Sequence, residues 1–587
     1  MTTLESFSRR AAKKYLQNIV FVDDEIYAHL SGKPVVDTED LPSLKSPFLS
    51  VPAAIPAVAV SGDIEAPEDE GATNGSGDVF NAVGQRGQDS AMATAGSEAA
   101  RDEPVPYHPK RLVESFAKEG MVCALYEPVA NFATDCNSDL FKLCERADVV
   151  ILDWDLFQED GRNILPLIQN LVDQSQNSVP HRSSLCVIYT TRPDLARVAS
   201  AIYDHLQQKA LTVQDVHDRT TLVAGATRII VLGKPNVPGR PEEQKSLEVL
   251  EENLAERVID EFARMHSGIL PSYALYGMAS VRHNSKKILD KFHSDQDGPF
   301  LLHRALLLEK EDAFEQLPEL IAEEVLAVML DNQLDSAEAS KVARDACAKL
   351  NLSNVTWPAI DGKKQDEREK IARTYLGGGL EAAKSQHKVA VKDMQYPARL
   401  HASMGCDQTF ADKKLAALFS LRTNYFESDS PALGFGTVVR WRTGDNLAFK
   451  YGLCLMPVCD SVRLKSGDNS RTSFPFWELK TSNDGGTTRG IVVPIENGYL
   501  ELFASGKPRD MLWIDRFAPA TSGMVLAKQD GNSKTFYFIG DAIPRLEWVA
   551  QLKPSHAQRV AHDIGHSFSR VGVLEAEWLR LKTEGKS

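Results

Sequence analysis

Two aspartates, Asp153 and Asp155, follow an apolar run directly in the segment VVILDWDLFQEDG (149–161). Ionised carboxylates at the end of a buried strand are costly unless water solvates them or a cation pairs with them. The pattern therefore indicates one of two things. Either the strand end is solvated, or the two aspartates hold a cation and take part in a reaction.

Three other apolar segments also end in polar side chains. Asp23 and Asp24 follow NIVFV (18–22), Thr190 ends VIYT (187–190), and Lys234 follows IIVLG (229–233). Each of these endings is common by itself. Their occurrence at the ends of successive strands is more specific.

The elements that would position these residues alternate between strand and helix. Apolar, β-branched runs alternate with amphipathic segments such as PKRLVESFAKEG (109–120) and RPDLARVASAIYDHLQQ (192–208). This alternation predicts a parallel sheet with helices on both faces. The carboxyl ends of such strands converge on one crevice, so the polar side chains are expected to meet there.

Three or four carboxylates, a hydroxyl and an ammonium suit Mg²⁺-assisted phosphoryl transfer to an aspartate. Carboxylate oxygens are hard ligands that Mg²⁺ prefers, and a carboxylate can act as the nucleophile. Lys234 and Thr190 could stabilise the charge on the transferred oxygens. The sequence thus predicts a phosphoryl-transfer site at the carboxyl edge of the sheet.

The same segments resemble the receiver domain of two-component response regulators, over roughly 15–265 without an insertion. The matching motifs are IVFVDDE (19–25), VVILDWDLFQEDG (149–161), VIYTT (187–191) and IIVLGKP (229–235). The resemblance implies a flavodoxin-like α/β fold, with a parallel sheet of order 2-1-3-4-5.

Carried over position by position, the resemblance implies a role for each site residue. Asp153 would accept the phosphoryl group, Thr190 would hydrogen-bond it and Lys234 would pair with it. The implied metal ligands for Mg²⁺ are Asp23, Asp24, Asp153 and the backbone carbonyl of Asp155. A histidine kinase or phosphotransfer protein would donate the phosphoryl group, and a downstream protein effector or a homo-oligomer would receive the signal.

The sequence departs from the family pattern at two positions. Phe157 stands where the family usually has proline, and Thr191 replaces a small residue beside the switch hydroxyl. Thr191 is expected to crowd the phosphoryl pocket. The segment between Thr190 and Lys234 is also enlarged. These departures are expected to affect the phosphorylation-dependent switching of the domain more than its fold.

Composition divides the chain into three expected domains. These are a receiver domain at 1–266, a helical domain at 267–405, and a β-rich, barrel-like domain with a C-terminal helix at 406–587. Within the first, 31–106 is predicted to be a mostly disordered acidic insertion, because 61–104 contributes −8 of the net charge of −15 and has one aromatic residue.

The remaining composition indicates a cytoplasmic protein. No apolar run reaches the roughly 18 residues that span a membrane, the N-terminus lacks a signal-peptide pattern, and the eight cysteines show no CxxC pair. The negative net charge argues against nucleic acid as a partner. A fainter resemblance, carried by CLMPVCDSVRL (454–464) and FSRVGVLEAEWLR (568–580), is to receiver proteins of bacterial anti-phage defence systems.

Two other interpretations stay open. Haloacid-dehalogenase phosphatases also have a strand ending in DxD, which would make Asp153 the nucleophile and Asp155 the general acid. Those enzymes take their metal-binding acid pair from a strand after the lysine, whereas Asp23 and Asp24 come before the DxD. The chain could also be a catalytically silent, receiver-like docking module in a larger complex. In either receiver interpretation, no enzyme activity is expected beyond phosphorylation and dephosphorylation of the receiver aspartate.

Overall fold

The computed structural model describes most of the chain outside one long N-terminal segment. The described residues are 2–26, 109–178, 182–216, 219–352, 355, 360, 362–387, 408–424, 430–442, 448–467, 470–481, 490–531 and 535–568. The predicted insertion at 31–106 lies outside them. By contacts the chain divides into two units, Met1–Asp24 with His108–Ser587, and Glu25–Tyr107. Only the first two residues of the second unit are described.

The N-terminal part alternates strands and helices as the sequence predicts. Its elements are α1 (Thr3–Tyr15), β1 (Asn18–Val22), α2 (Pro109–Lys118), β2 (Val122–Tyr126), α3 (Asp139–Arg146), β3 (Val149–Leu152), α4 (Leu165–Asn177), β4 (Ser184–Thr190), α5 (Leu195–Gln208), β5 (Gln214–Val216), β6 (Thr221–Ala224), β7 (Thr227–Gly233) and α6 (Leu254–Met265).

These strands form one sheet of seven, in the order β2-β1-β3-β4-β7-β6-β5. The first five strands of this order are parallel and follow the 2-1-3-4-5 arrangement, with β7 as the fifth. The hairpin β5–β6, which was not predicted, adds two antiparallel strands beyond β7. It accounts for the enlarged segment between Thr190 and Lys234.

The central strands are buried on both faces, which explains their continuous apolar sequences. All four residues of β3 are buried, and the apolar stripes of α3, α4 and α5 pack on the same side of the sheet. This burial places the end of β3 inside the protein, so the polar residues that follow it lie at the edge of a core.

Helix α1 was not predicted, although its sequence carries a start signal. The Thr2 side chain accepts a hydrogen bond from the backbone of Glu5, whose carboxylate in turn bonds the backbone of Thr2, a capping box. The helix packs against α6. It also packs against the helix that follows α6, where Ser8 Oγ and Ser272 Oγ share a hydrogen bond of 2.7 Å.

The middle of the chain is helical, as predicted. Its helices are α7 (Ile269–Leu289), α8 (Asp297–Leu306), α9 (Asp312–Asp331), α10 (Ser336–Lys349), α11 (Gln365–His387) and α12 (Gln408–Ser420). Gly379 in α11 has φ 79°, a conformation that interrupts regular helix geometry.

The last part is rich in strands. Its elements are β8 (Thr437–Arg442), β9 (Phe449–Cys454), α13 (Val458–Ser461), β10 (Thr472–Leu479), β11 (Gly490–Ile495), β12 (Gly498–Phe503), α14 (Pro508–Met511), β13 (Leu512–Phe517), β14 (Lys528–Gln529), β15 (Phe536–Phe538), β16 (Leu546–Gln551) and α15 (Pro554–Phe568). Seven of these strands form an antiparallel sheet of order β13-β10-β9-β8-β16-β15-β14.

This second sheet curls toward closure, which is consistent with the barrel-like prediction. A bridge between Phe517 and Gly540 joins the edge strand β13 to the residues after β15. Buried Asp515 accepts bonds from the backbone N–H groups of Ala542 (2.8 Å) and Ile543 (3.0 Å). The boundaries predicted at 266/267 and 405/406 stay predictions. None of the helices within the described ranges is long and apolar enough to cross a bilayer.

A buried ion network ties the sheet to α6. Glu261 is fully buried and contacts Arg228 of β7 (3.0 Å), Arg257 (3.1 Å) and Arg264 (2.6 Å). The Arg228 side chain is itself 17% exposed, whereas that of Arg264 is 60% exposed. Burial of charge is tolerated only while the partners remain paired.

We therefore expect Glu261→Gln to lower the free energy of unfolding by about 3 kcal/mol, since Arg228 would keep a buried charge without its main partner. The exposed pair should matter less, so Arg264→Ala is the matched control, with a loss below about 1 kcal/mol. Urea unfolding followed by circular dichroism measures both variants. Equal losses of unfolding free energy in the two variants would contradict a special role for the burial of the Glu261–Arg228 pair.

Candidate functional site

Lys234, which follows β7, contacts the ends of two adjacent strands of the parallel sheet, β1 and β3. Its Nζ donates to Asp23 Oδ2 at 2.9 Å and to Asp153 Oδ2 at 2.7 Å. Asp23 is fully buried, Asp153 is 7% exposed, and the ammonium lies 5.8 Å from the centre of the buried Tyr189 ring. The sheet thus brings the predicted phosphoacceptor, one member of the acid pair and the lysine into direct contact.

Two buried carboxylates share the Lys234 ammonium, and their mutual repulsion affects the pKa of each group. Burial raises the pKa of the Asp153 carboxyl to about 6, the Lys234 ammonium opposes the shift, and the charge of Asp23 adds to it. Burial disfavours the Lys234 ammonium, but the two carboxylates outweigh it and raise the pKa of Lys234. Asp153 therefore binds a proton more readily than an ordinary aspartate does, and the carboxylates of the cluster attract cations such as metal ions.

The second acid of the pair, Asp24, is held by the loop that follows β3. Its Oδ2 accepts a 2.7 Å hydrogen bond from the backbone N–H of Phe157. Phe157 has φ 58°, and Gln158 and Asp160 also have positive φ, which is uncommon outside glycine. Proline could neither adopt this φ nor donate this bond. The family's usual proline is thus incompatible with the observed loop.

The same loop is tied to Asp155 and Trp154. Asp155 Oδ1 accepts from the Asp160 N–H at 2.9 Å, and Trp154 Nε1 donates to Asp160 Oδ1 at 3.0 Å. Gly161 has φ 83°, and a Cβ there would lie 2.2 Å from the Trp154 ring. The glycine after the DxD is therefore required for close packing against the indole. The carbonyl of Asp155, a predicted ligand, accepts a bond from Gln158 N.

Thr190 ends β4 as predicted and is fully buried. Its Oγ1 accepts a 3.1 Å bond from the N–H of Arg192, which leaves the hydroxyl hydrogen able to donate elsewhere. Its carbonyl accepts from Lys234 N at 2.8 Å. Thr191 is exposed, and the expectation that it crowds the phosphoryl pocket stays a prediction.

Arg192 is a site residue that the sequence analysis missed. Its guanidinium contacts Asp155 Oδ1 at 2.8 Å and Asp160 Oδ1 at 3.4 Å. The amphipathic pattern of 192–208 predicts that Arg192 lies in a helix, but α5 begins only at Leu195, and Asp194 is its N-cap. Asp194 after Pro193 is an N-cap signal that would have left Arg192 in the loop at the strand end.

A second arginine, Arg240, supports the loop that carries Lys234. Its Nη2 donates to the carbonyl of Arg192 at 3.2 Å, and its Nε lies 3.0 Å from Glu248 Oε1. The guanidinium fills the space beside Gly233, where a Cβ would lie 1.4 Å from Nη1. Only glycine fits directly before Lys234 in this arrangement.

The oxygen donors are of the type that Mg²⁺ prefers, but their arrangement is that of a salt-bridged cluster. Within the described ranges, no three His, Cys, Asp or Glu side chains are grouped to hold a metal ion. Lys234 bridges Asp23 and Asp153, and Asp24 is bonded to Phe157 N. The donor set fits the ion chemically, and Asp24 would have to exchange its present bond to join it.

The raised pKa of Asp153 predicts an unusual dependence of stability on pH. Because the folded carboxyl has a pKa near 6 and its ordinary value is 3.8, the folded state binds the proton more tightly and this group favours folding as pH falls from 6 toward 4. At pH 7, Asp153→Asn should raise the free energy of unfolding by roughly 1–3 kcal/mol, and the gain should shrink below pH 5.

Urea unfolding between pH 4 and 8 measures this difference. Lys234→Met is the companion variant, because it leaves two carboxylates together and should destabilise the protein most at high pH. An Asp153→Asn protein less stable than wild type throughout the pH range would contradict the raised pKa.

Comparison with known proteins supports one assignment for this part of the chain. Residues 15–239 match the family model described as "Response receiver domain", somewhat over a third of the sequence. No curated protein and no solved structure matches the chain. The matched segment contains the whole cluster around Asp153, and the family indicates a signalling role as phosphoacceptor. Residues 15–239 are therefore a divergent response-regulator receiver domain.

Proposed function

We propose that the protein is a phosphoacceptor of a two-component-type signalling system and takes a phosphoryl group on Asp153. The observation that carries the proposal is the Lys234 ammonium, held between Asp153 and Asp23 at the carboxyl end of the sheet. The donor is a histidine kinase or a phosphotransfer protein. The site contains the nucleophile, a neutralising cation and a hydroxyl on the neighbouring strand.

In the transfer step, a carboxylate oxygen of Asp153 forms a bond to phosphorus. The bond between phosphorus and the donor's imidazole nitrogen breaks, and the imidazole keeps the electron pair of that bond. Lys234 offsets the charge on the phosphoryl oxygens, and Thr190 donates its hydroxyl hydrogen to one of them. The Arg192 N–H bond to Thr190 Oγ1 orients this hydroxyl.

Mg²⁺ would be held by Asp23, Asp24, Asp153 and the carbonyl of Asp155. When bound, the ion supplies positive charge that offsets the repulsion between the phosphoryl oxygens and the carboxylates. The oxygen donors that the sheet brings together around Lys234 support this assignment. To join these ligands, Asp24 would exchange its present bond to Phe157 N in the loop after β3.

The phosphoryl group adds negative charge beside Thr190 and Arg192. We propose that the resulting shift passes to the helical and β-rich parts of the chain and is read by an effector protein, in the cytoplasm and without nucleic acid. We further propose a role in an anti-phage defence system, which the fainter resemblance supports. Asp23 comes from β1 and contacts Lys234, an origin of the acid pair that favours a receiver over a haloacid-dehalogenase phosphatase.

Phosphorylation by a small donor tests the proposal directly. We expect acetyl phosphate with Mg²⁺ to add one phosphoryl group to wild type, because Asp153 is the carboxylate nearest Lys234, and none to Asp153→Asn. Intact-mass spectrometry detects the adduct, which should be stable in acid and lost in base. Asp173→Asn on α4 is the control and should be phosphorylated normally. An adduct of equal yield on Asp153→Asn would refute the assignment.

A silent docking module is the second candidate, and one observation favours it. Asp24 is bonded to the N–H of Phe157 in a loop with positive φ, so the acid pair is not free to bind metal in this conformation. If the loop never opens, the receiver fold would serve only to bind a partner.

Mg²⁺ binding separates the two candidates. A working receiver should show a higher melting temperature with Mg²⁺, an effect lost in Asp24→Asn and weaker below about pH 6, where a proton on Asp153 competes with the ion. Asp160→Asn, which removes no proposed ligand, is the control. Differential scanning fluorimetry with Mg²⁺ and Ca²⁺ provides the measurement, and no shift at any pH would favour the docking module.

A further inference from the structure

Large apolar side chains are exposed in unusual density between the end of α7 and the end of α9. Of the 30 large hydrophobic residues exposed within the described ranges, 11 fall between 289 and 330. They are Leu289, Phe292, Leu301, Leu302, Leu306, Leu308, Phe314, Leu320, Ile321, Leu326 and Leu330. Clustered exposed apolar residues mark interaction sites, whereas scattered ones are ordinary.

Helix α8 stands out because none of its residues is buried. It contacts α9 through Phe300, whose ring lies 5.3 Å from that of Phe314, and through His303, which lies 3.1 Å from Gln316. These contacts leave Leu301, Leu302 and Leu306 uncovered, at 57%, 62% and 77% exposed. With the fully exposed Leu308, they form what we call the leucine surface.

A ten-residue helix with no buried face lacks the packing that normally stabilises short helices. Its contacts with α9 and with the preceding Glu311 come from Phe300, His303 and Arg304, and they leave its leucines exposed. An exposed apolar helix face such as the leucine surface is typical of sites that bind a helix of a partner.

The neighbouring helix α9 is strongly acidic. It contains six acidic residues and no lysine or arginine. Glu315, Glu319 and Glu323 are spaced four residues apart, so they lie along one side of α9, and we call them the acidic row. Glu315 lies 3.7 Å from Arg463, whereas Glu319 and Glu323 form no ion pair within the described part of the chain.

We propose that the leucine surface and the acidic row form a docking site for a basic amphipathic helix of a partner protein. The helix would place its apolar stripe on Leu301, Leu302, Leu306 and Leu308, and its lysines or arginines against Glu319 and Glu323. Apolar contact supplies affinity, and the opposite charges fix orientation and exclude acidic helices.

Charge decides against two other occupants. A second copy of α9 would bring two acidic rows together, which like-charge repulsion disfavours. An anionic membrane surface would be repelled in the same way, because amphipathic helices that bind it carry lysine and arginine on the polar face. A basic amphipathic helix is the occupant that would both cover the leucine surface and form ion pairs with the acidic row.

Binding of two matched peptides to the full chain tests the proposal. The probe is a fluorescein-labelled peptide of about 18 residues with leucines at i, i+3, i+4 and i+7 and lysines elsewhere, and its control replaces every lysine by glutamate. We expect the lysine peptide to bind at least about tenfold more tightly in anisotropy measurements, with an affinity that falls between about 50 and 300 mM salt.

Variants of the protein locate the binding site. Leu302→Ser and the double change Glu319→Lys with Glu323→Lys should each weaken binding of the lysine peptide at least about fivefold. Leu418→Ser on α12, where the leucine is equally exposed at 62%, and Glu496→Lys after β11 should not. All the changed side chains are exposed, and circular dichroism verifies that the variants fold.

Three results would overturn the proposal: no binding of the lysine peptide, equal binding of both peptides, or equal loss in the control variants. A dimer in multi-angle light scattering that Leu302→Ser dissociates would show that a second copy covers the surface, and would also overturn it. The measurements use no phosphodonor and are repeated with Asp153→Asn. A failure of phosphorylation therefore leaves this result independent.

Discussion

The receiver site depends on one ammonium group shared by two buried carboxylates. Lys234 lies at the end of β7 and reaches past β4 to Asp153 and on to Asp23 after β1. This contact requires the parallel order β1-β3-β4-β7, because only then do the strand ends lie within the length of one lysine side chain. It also requires glycine before Lys234, where Arg240 fills the space that a Cβ would need.

The Lys234 cluster differs from a simple buried ion pair in that two carboxylates contact one ammonium. Both carboxylates lie in a region of low dielectric constant, where their repulsion is strong unless cations pair with them. Burial raises the pKa of Asp153, the Lys234 ammonium opposes the shift, and the charge of Asp23 adds to it. The fold accepts this repulsion at the carboxyl edge of the sheet, where ligands of such folds bind.

The sequence predicted the framework of the site better than its details. The parallel sheet and the meeting of Asp23, Asp153 and Lys234 at its edge follow from apolar runs that end in polar residues, and the strand order is the one that the resemblance to receiver domains implies. The roles of Asp24 and Arg192 do not, because they depend on a loop with positive φ at Phe157 and on a helix that starts three residues late. Loop conformations are set by tertiary contacts such as the Trp154 ring over Gly161, which no periodicity reveals.

Arg192 gives the departures from the family pattern a common physical meaning. Its N–H bonds Thr190, its guanidinium bonds Asp155 and Asp160, and its carbonyl accepts from Arg240 beside Gly233. The loops after β3, β4 and β7 are thus joined by one side chain and its backbone. A new charge on Asp153 would act on Thr190 and on the Asp155 loop at once, since Arg192 holds both. In this receiver domain, the connection between the Asp153 cluster and the surrounding loops therefore runs through Arg192.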